Sequence, residues 1–236
     1  MKRVMTVVGL SVAMILSASM IAEAQRKKKD KEPDLAICKR GNLIFEDDFS
    51  KKELKWSFDQ LKCKWEIVKG SMATKSFGQP ADVQVMVPIS PVKDFVFDCK
   101  VWVPKSSQVF FWIGSIGGIT RPYGSISQHG TLLTASIVTY ESGIGVKRQT
   151  ESSISYSKPG WLNVTFEKLG PAHSLTVGGK RVTLNLPEAD ETEKSNMTVT
   201  HLKKNSDLFA IDDVKVYEAL PKDEGEEKDE KGKKKK

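Results

Sequence analysis

An all-β chain, folded as a two-sheet antiparallel β-sandwich, is what this sequence predicts, and three observations predict it. Past residue 40 apolar and polar residues alternate with period two almost everywhere. Clusters of Gly, Pro, Ser and Asn interrupt that alternation at short intervals. Helical periodicity is almost absent, and only residues 51–61 could form a helical turn or two. Many short strands with one apolar face need a second sheet to cover that face, which gives the sandwich.

The candidate strands follow in order as 43–45, 65–68, 83–87, 95–103, 109–113, 131–140, 144–147, 161–167, 174–177, 181–186 and 207–217. Within 161–167 the residues Leu162, Val164 and Phe166 face the core, while Asn163, Thr165 and Glu167 face outward. Gly178-Gly179, between two β-rich runs, predicts a tight hairpin because glycine takes positive φ without strain. Residues 119–130 read as a loop between two strong strands. His173 and His201 read as exposed turn residues.

The ends have a different character. Lys2 and Arg3 precede a mostly apolar run that reaches Ala22-Glu23-Ala24, so residues 1–24 read as a signal peptide cleaved before Gln25. The mature chain is then expected to be exported, periplasmic or secreted, with no transmembrane anchor after cleavage. Residues 25–40 read as a charged disordered leader, 41–219 as the sandwich domain, and 220–236 as a low-complexity charged disordered tail. The formal net charge of +7 lies largely in those ends, without interleaved aromatics. No nucleic-acid partner is expected from that distribution.

Three cysteines, Cys38, Cys63 and Cys99, allow at most one bridge and leave one thiol over. Cys99 alternates with Phe95, Phe97, Val101 and Val103 and reads as a buried small hydrophobe. Cys38 and Cys63 are the more plausible pair, with three free thiols as the alternative.

Four stretches in order carry a family resemblance: Leu43-Ile44-Phe45-Glu46-Asp47-Asp48-Phe49, Trp65 to Met72, Gly160 to Phe166 running into Leu175 to Val182, and Phe209 to Tyr217. Their order resembles the concanavalin A-like jelly rolls, in particular laminin-G-like domains and the exported bacterial 3-keto-disaccharide hydrolase domain. The resemblance implies a jelly-roll sandwich over most of the body. It implies either sugar binding or sugar cleavage, since the superfamily holds both. The Glu-x-Asp-x-x-Glu string of laminarinase-type relatives does not occur, and no Gly-x-Ser-x-Gly elbow is present.

The sequence therefore points first to an exported, non-catalytic module that binds a glycan or cell-envelope polysaccharide. A glycoside-cleaving hydrolase and a structural module for a protein partner are the alternatives. Trp102, Trp112 and Tyr140 are the candidate stacking platform, and Arg121, Tyr123 and His129 are the candidate polar and aromatic groups of the 119–130 segment. No cofactor is required. A structural calcium would take Asp47 and Asp48 from the first strand with Asp212 and Asp213 from the last.

Overall fold

The computed structural model describes residues 34–51, 56–58, 64–68, 70–75, 83–113, 121–141, 145–156, 160–187, 193–203 and 209–223. The expected signal, the leader up to residue 33, most of the tail, Cys63 and residues 114–120 lie outside them. Among the described residues every regular element is a strand. The strands are β1 (Lys39–Asp47), β2 (Ser57–Phe58), β3 (Lys64–Val68), β4 (Ser71–Lys75), β5 (Val83–Val92), β6 (Phe95–Trp102), β7 (Ser107–Ile113) and β8 (Arg121–His129). They continue as β9 (Leu132–Glu141), β10 (Gly145–Ser155), β11 (Trp161–Leu169), β12 (Ala172–Val177), β13 (Lys180–Asn185), β14 (Lys194–Lys203) and β15 (Ala210–Leu220).

The strands form two antiparallel sheets, as the alternation predicts. One runs β13-β12-β11-β6-β15-β4-β3, with β1 also alongside β15, and the other runs β10-β9-β8-β7-β14-β5-β2. The last strand serves two partners along one edge: Ala210 and Ile211 pair with β4, and the stretch from Val214 onward pairs with β1. A register shift between Asp212 and Lys215 marks the change, and Asp213 sits there at φ 49. Asp tolerates that left-handed conformation better than most side chains.

Alternate residues of each strand meet across the interior. Phe95, Phe97, Cys99 and Val101 of β6 are buried, and Phe97 reaches Phe111 of β7 in the facing sheet at 5.7 Å between ring centroids. Each such side chain contributes roughly 1.5–3 kcal/mol when fully buried. The hairpin at Gly178 (φ 54) and Gly179 (φ 82) joins Val177 to Lys180, as the sequence predicts.

Three expectations are corrected. Residues 121–129 are not a loop but strand β8, paired to β9 over its length and to β7 from Gly124 to Ser127. Its inward positions are Gly124, Ile126 and Gln128, so only one large apolar residue marks the alternation. Gly124 is small for a reason: a Cβ there would lie 3.3 Å from Leu175 Cδ1 and 3.6 Å from Phe166 Cγ of the facing sheet. His201 and His173 are buried rather than exposed, His201 stacked on Phe209 at 4.9 Å and His173 beside Phe166 at 6.4 Å. Within 51–61, Ser57 and Phe58 pair with β5 as a strand rather than joining a helical turn.

Residues 34–38, read as part of the leader, pack against the sandwich. Leu35, Ile37 and Cys38 lie as a strap over Val96, Leu169, Tyr217 and Ala219 on the outer face of the eight-stranded sheet. Glu167 does face outward, yet it is fully buried, because the strap covers it. Its carboxylate accepts the amides of Ala36 (2.9 Å) and Ile37 (3.0 Å) and the thiol of Cys38 (3.4 Å). Burial, with the Glu167 charge beside it, pushes the Cys38 thiol up to about 12. Cys38 and Cys99 are free thiols, burial raising Cys99 as well, while Cys63 lies outside the described residues. Arg40 then pairs with Asp98 at 2.9 Å, and Thr165 donates to the same carboxylate at 2.6 Å.

Candidate functional site

The outer face of the seven-stranded sheet carries a groove of about 310 Å³ across β7, β8, β9 and β10. Strand alternation builds it. Val109 and Phe111 of β7 face the core, which turns Gln108 and Phe110 outward. On β8, Tyr123, Ser125, Ser127 and His129 alternate with the inward Gly124, Ile126 and Gln128. Register then brings Ser125 opposite Phe110 on one side and Ser136 on the other, with Glu151 beyond Ser136. Tyr123 is followed in the same way by Val138 and Gln149.

Small side chains thus line the floor, while larger groups stand at its two margins. Four neighbouring strands place those margins roughly 14 Å apart. At the β7–β8 margin the rings of Phe110 and Tyr123 meet edge to face, with centroids 5.3 Å apart and planes at 76°. Beside them Gln108 donates to Ser125 Oγ at 3.2 Å, which orients its amide. At the β10 margin Gln149 donates to the Glu151 carboxylate at 3.0 Å. His129 closes one end and is exposed. Glu151 is the only carboxylate among the described lining residues.

Of the residues singled out from sequence, Tyr123 and His129 stand in this groove. Trp102 does not, since it belongs to β6 of the opposite sheet, on the outer side, where its ring lies 6.2 Å from that of Trp161. The three-membered platform of Trp102, Trp112 and Tyr140 is therefore not assembled: period-two alternation fixes the face of a strand but not the sheet it joins. Trp112 (β7), Arg121 (β8) and Tyr140 (β9) lie on the backbone of the groove's own sheet, with Arg121 and Tyr140 register partners. Their side chains lie outside the described residues. Phe110, Gln108, Gln149 and Glu151 were missed, although Gln149-x-Glu151-x-Ser153 alternates beyond the short strand read at 144–147.

The four aspartates do not converge. The first and last strands are neighbours, with Asp47 opposite Val214. Asp47 nevertheless spends its oxygens on the Phe49 amide and on Trp56 Nε1, both at 2.9 Å. Asp48 accepts the Ser50 amide at 3.0 Å, and the Ser50 hydroxyl and amide together hold its carboxyl below the usual value. Asp212 accepts from Ser71 Oγ at 3.1 Å and from the Asp213 amide at 2.9 Å, while Asp213 pairs with Lys100 at 2.9 Å. Among the described residues no three acidic, His or Cys side chains come together as a metal site.

No protein-family model and no curated protein matches the chain. Solved structures do. A laminarinase from Flavobacterium sp. UMI-01 aligns over 75% of this chain and 100% of its own, at 14% identity and a TM-score of 0.57. The CBM2 module of the Lactobacillus casei BL23 phage J-1 evolved Dit aligns over 78% and 98%, at 10% identity and a TM-score of 0.61. A protein of unknown function with a galectin-like fold from Bacillus subtilis aligns over 79% and 100%, at 9% identity and a TM-score of 0.57. A sialidase aligns at 11% identity and a TM-score of 0.56, but this chain spans only 18% of its length. At these identities the likeness is one of fold, and the fold is the concanavalin A-like jelly-roll sandwich.

Proposed function

We propose that the chain is an exported module that binds a glycan in the β7–β10 groove without cleaving it. The observation that carries this is the opposition of an aromatic pair, Phe110 and Tyr123, to planar polar groups, Gln149 and Glu151, across a floor of hydroxyls. A pyranose offers C–H faces for a ring to stack on and hydroxyls at its edge for amides and carboxylates. Cleavage by paired carboxylates needs two acids about 5–9.5 Å apart, whereas the described lining supplies Glu151 alone. The likeness to a laminarinase and to a phage CBM2 module is compatible with either activity, and the described lining supports the binding reading.

Affinity electrophoresis of residues 25–236 against a polysaccharide panel, with product analysis of the same mixtures, tests the reading. Retardation without products, weakened about tenfold or more by Tyr123→Ala or Phe110→Ala, is the expected result, since one lost stacking contact is worth roughly 1–2 kcal/mol. Release of reducing or oxidised sugars would replace the binding module by the 3-keto-disaccharide hydrolase reading. Unretarded migration on every polysaccharide would leave the protein-partner reading.

A further inference from the structure

We infer that the groove discriminates by charge: it takes non-anionic glycans and turns away acidic ones, with Glu151 as the residue that sets the preference. This rests on the glycan-binding reading above and names its substrate class. Glu151 is exposed on the β10 margin, and its contact is the Gln149 amide, a neutral donor. The described groups facing it from β7, β8 and β9 include Phe110, Tyr123, Ser127, Thr134, Ser136 and Val138, none of them cationic. Among the described lining residues the other ionisable side chains are Tyr123 and His129, the latter at the end of β8.

On the other sheet's side of this domain three carboxylates are met by cations. Asp98 has Arg40, Asp94 has Lys168 and Asp213 has Lys100. In the groove the negative charge is left to the ligand. A sugar hydroxyl or amino group can donate to it, forming a charge-assisted hydrogen bond. A uronate or sulfate placed within about 5 Å would meet a like charge, and in a half-desolvated groove that repulsion is worth about tenfold or more in affinity.

Matched polysaccharide pairs are the probe: galactan against polygalacturonate, and β-glucan against polyglucuronate, each at low and high salt. The wild-type chain is expected to bind the neutral member of a pair at least tenfold more tightly, with the gap narrowing as salt rises. Glu151→Gln keeps the shape and an acceptor while removing the charge, so it should raise affinity for the acidic member and close most of the gap. Glu218→Gln is the control, because it removes a carboxylate from β15 of the other sheet, where Glu218 accepts from Asn42 Nδ2 at 2.8 Å; it should not open or close the gap. Binding of both members equally, or a gap unmoved by Glu151→Gln, overturns the charge assignment while leaving glycan binding intact. A wild-type chain that binds neither member of any pair overturns the glycan reading itself.

Discussion

Replacing Glu167 by alanine removes the acceptor under which the strap is seated. Three donors lose their partner at once: the amides of Ala36 and Ile37 and the Cys38 thiol. A buried donor left unsatisfied costs about 1–3 kcal/mol, which for two amides gives roughly 2–6 kcal/mol if the strap stays down. The strap can instead lift, which limits the loss to its own packing over Val96 and Ala219, so about 2–4 kcal/mol is expected. For a domain of this size that is a fall in Tm of roughly 4–16 °C.

Lifting also changes the chemistry of Cys38. With the thiol pushed up to about 12, the thiolate fraction at pH 8 is about one in ten thousand; at the ordinary 9.0 it would be about one in ten. A Cys63→Ser background leaves Cys38 and the deeply buried Cys99 as the only thiols. In it Glu167→Ala should speed the reaction of one thiol with an aromatic disulfide reagent by tenfold to about a thousandfold, measured at pH 8. A variant with wild-type Tm and a Cys38 as slow as in the parent would refute the idea that Glu167 holds the strap.

Two further outcomes follow from the interior. Burial raises the ionisation of Cys38, Cys99 and Tyr156 above their unfolded values, so between the unfolded and folded values the unfolded chain has released protons that the folded chain keeps. The sign is therefore a loss of stability as pH rises above about 9, with none of this loss below it; urea midpoints at pH 7 and pH 10 should show it, and equal midpoints would count against it. Gly124→Val forces two methyl groups toward Leu175 and Phe166, where even a Cβ is already at 3.3 Å, and should cost about 1–3 kcal/mol by urea unfolding. An unchanged midpoint would mean that β8 stands further from the facing sheet than described.

The sandwich was legible because its inward residues are large and regular: Phe95, Phe97, Cys99 and Val101 on β6, Val164 and Phe166 on β11, and the glycine pair at the β12–β13 turn. Strand β8 was not, because the close approach of the facing sheet demands glycine at 124 and so removes one of the apolar marks that alternation relies on. In β14 the inward Met197, Val199 and His201 include a histidine, which reads as polar until Phe209 is seen stacked on it. The strap escaped notice because its apolar residues, Leu35, Ile37 and Cys38, follow directly on a charged run. As for the groove, Tyr123 and His129 were found by residue type, but the choice of Trp102 failed because no local pattern tells which sheet a strand joins. Glu151 became significant only once register set it across from Phe110.

The strap and the end of β15 are fastened to each other: Lys222 donates to the Leu35 carbonyl at 2.8 Å, and Lys39 meets Asp223 at 2.7 Å. Entry and exit of the described chain therefore share one corner, on the sheet whose outer surface points away from the groove. Anything attached directly at residue 34 or residue 223 approaches the sandwich from its back. A chip, a bead or a reporter domain attached there leaves the face with the groove open.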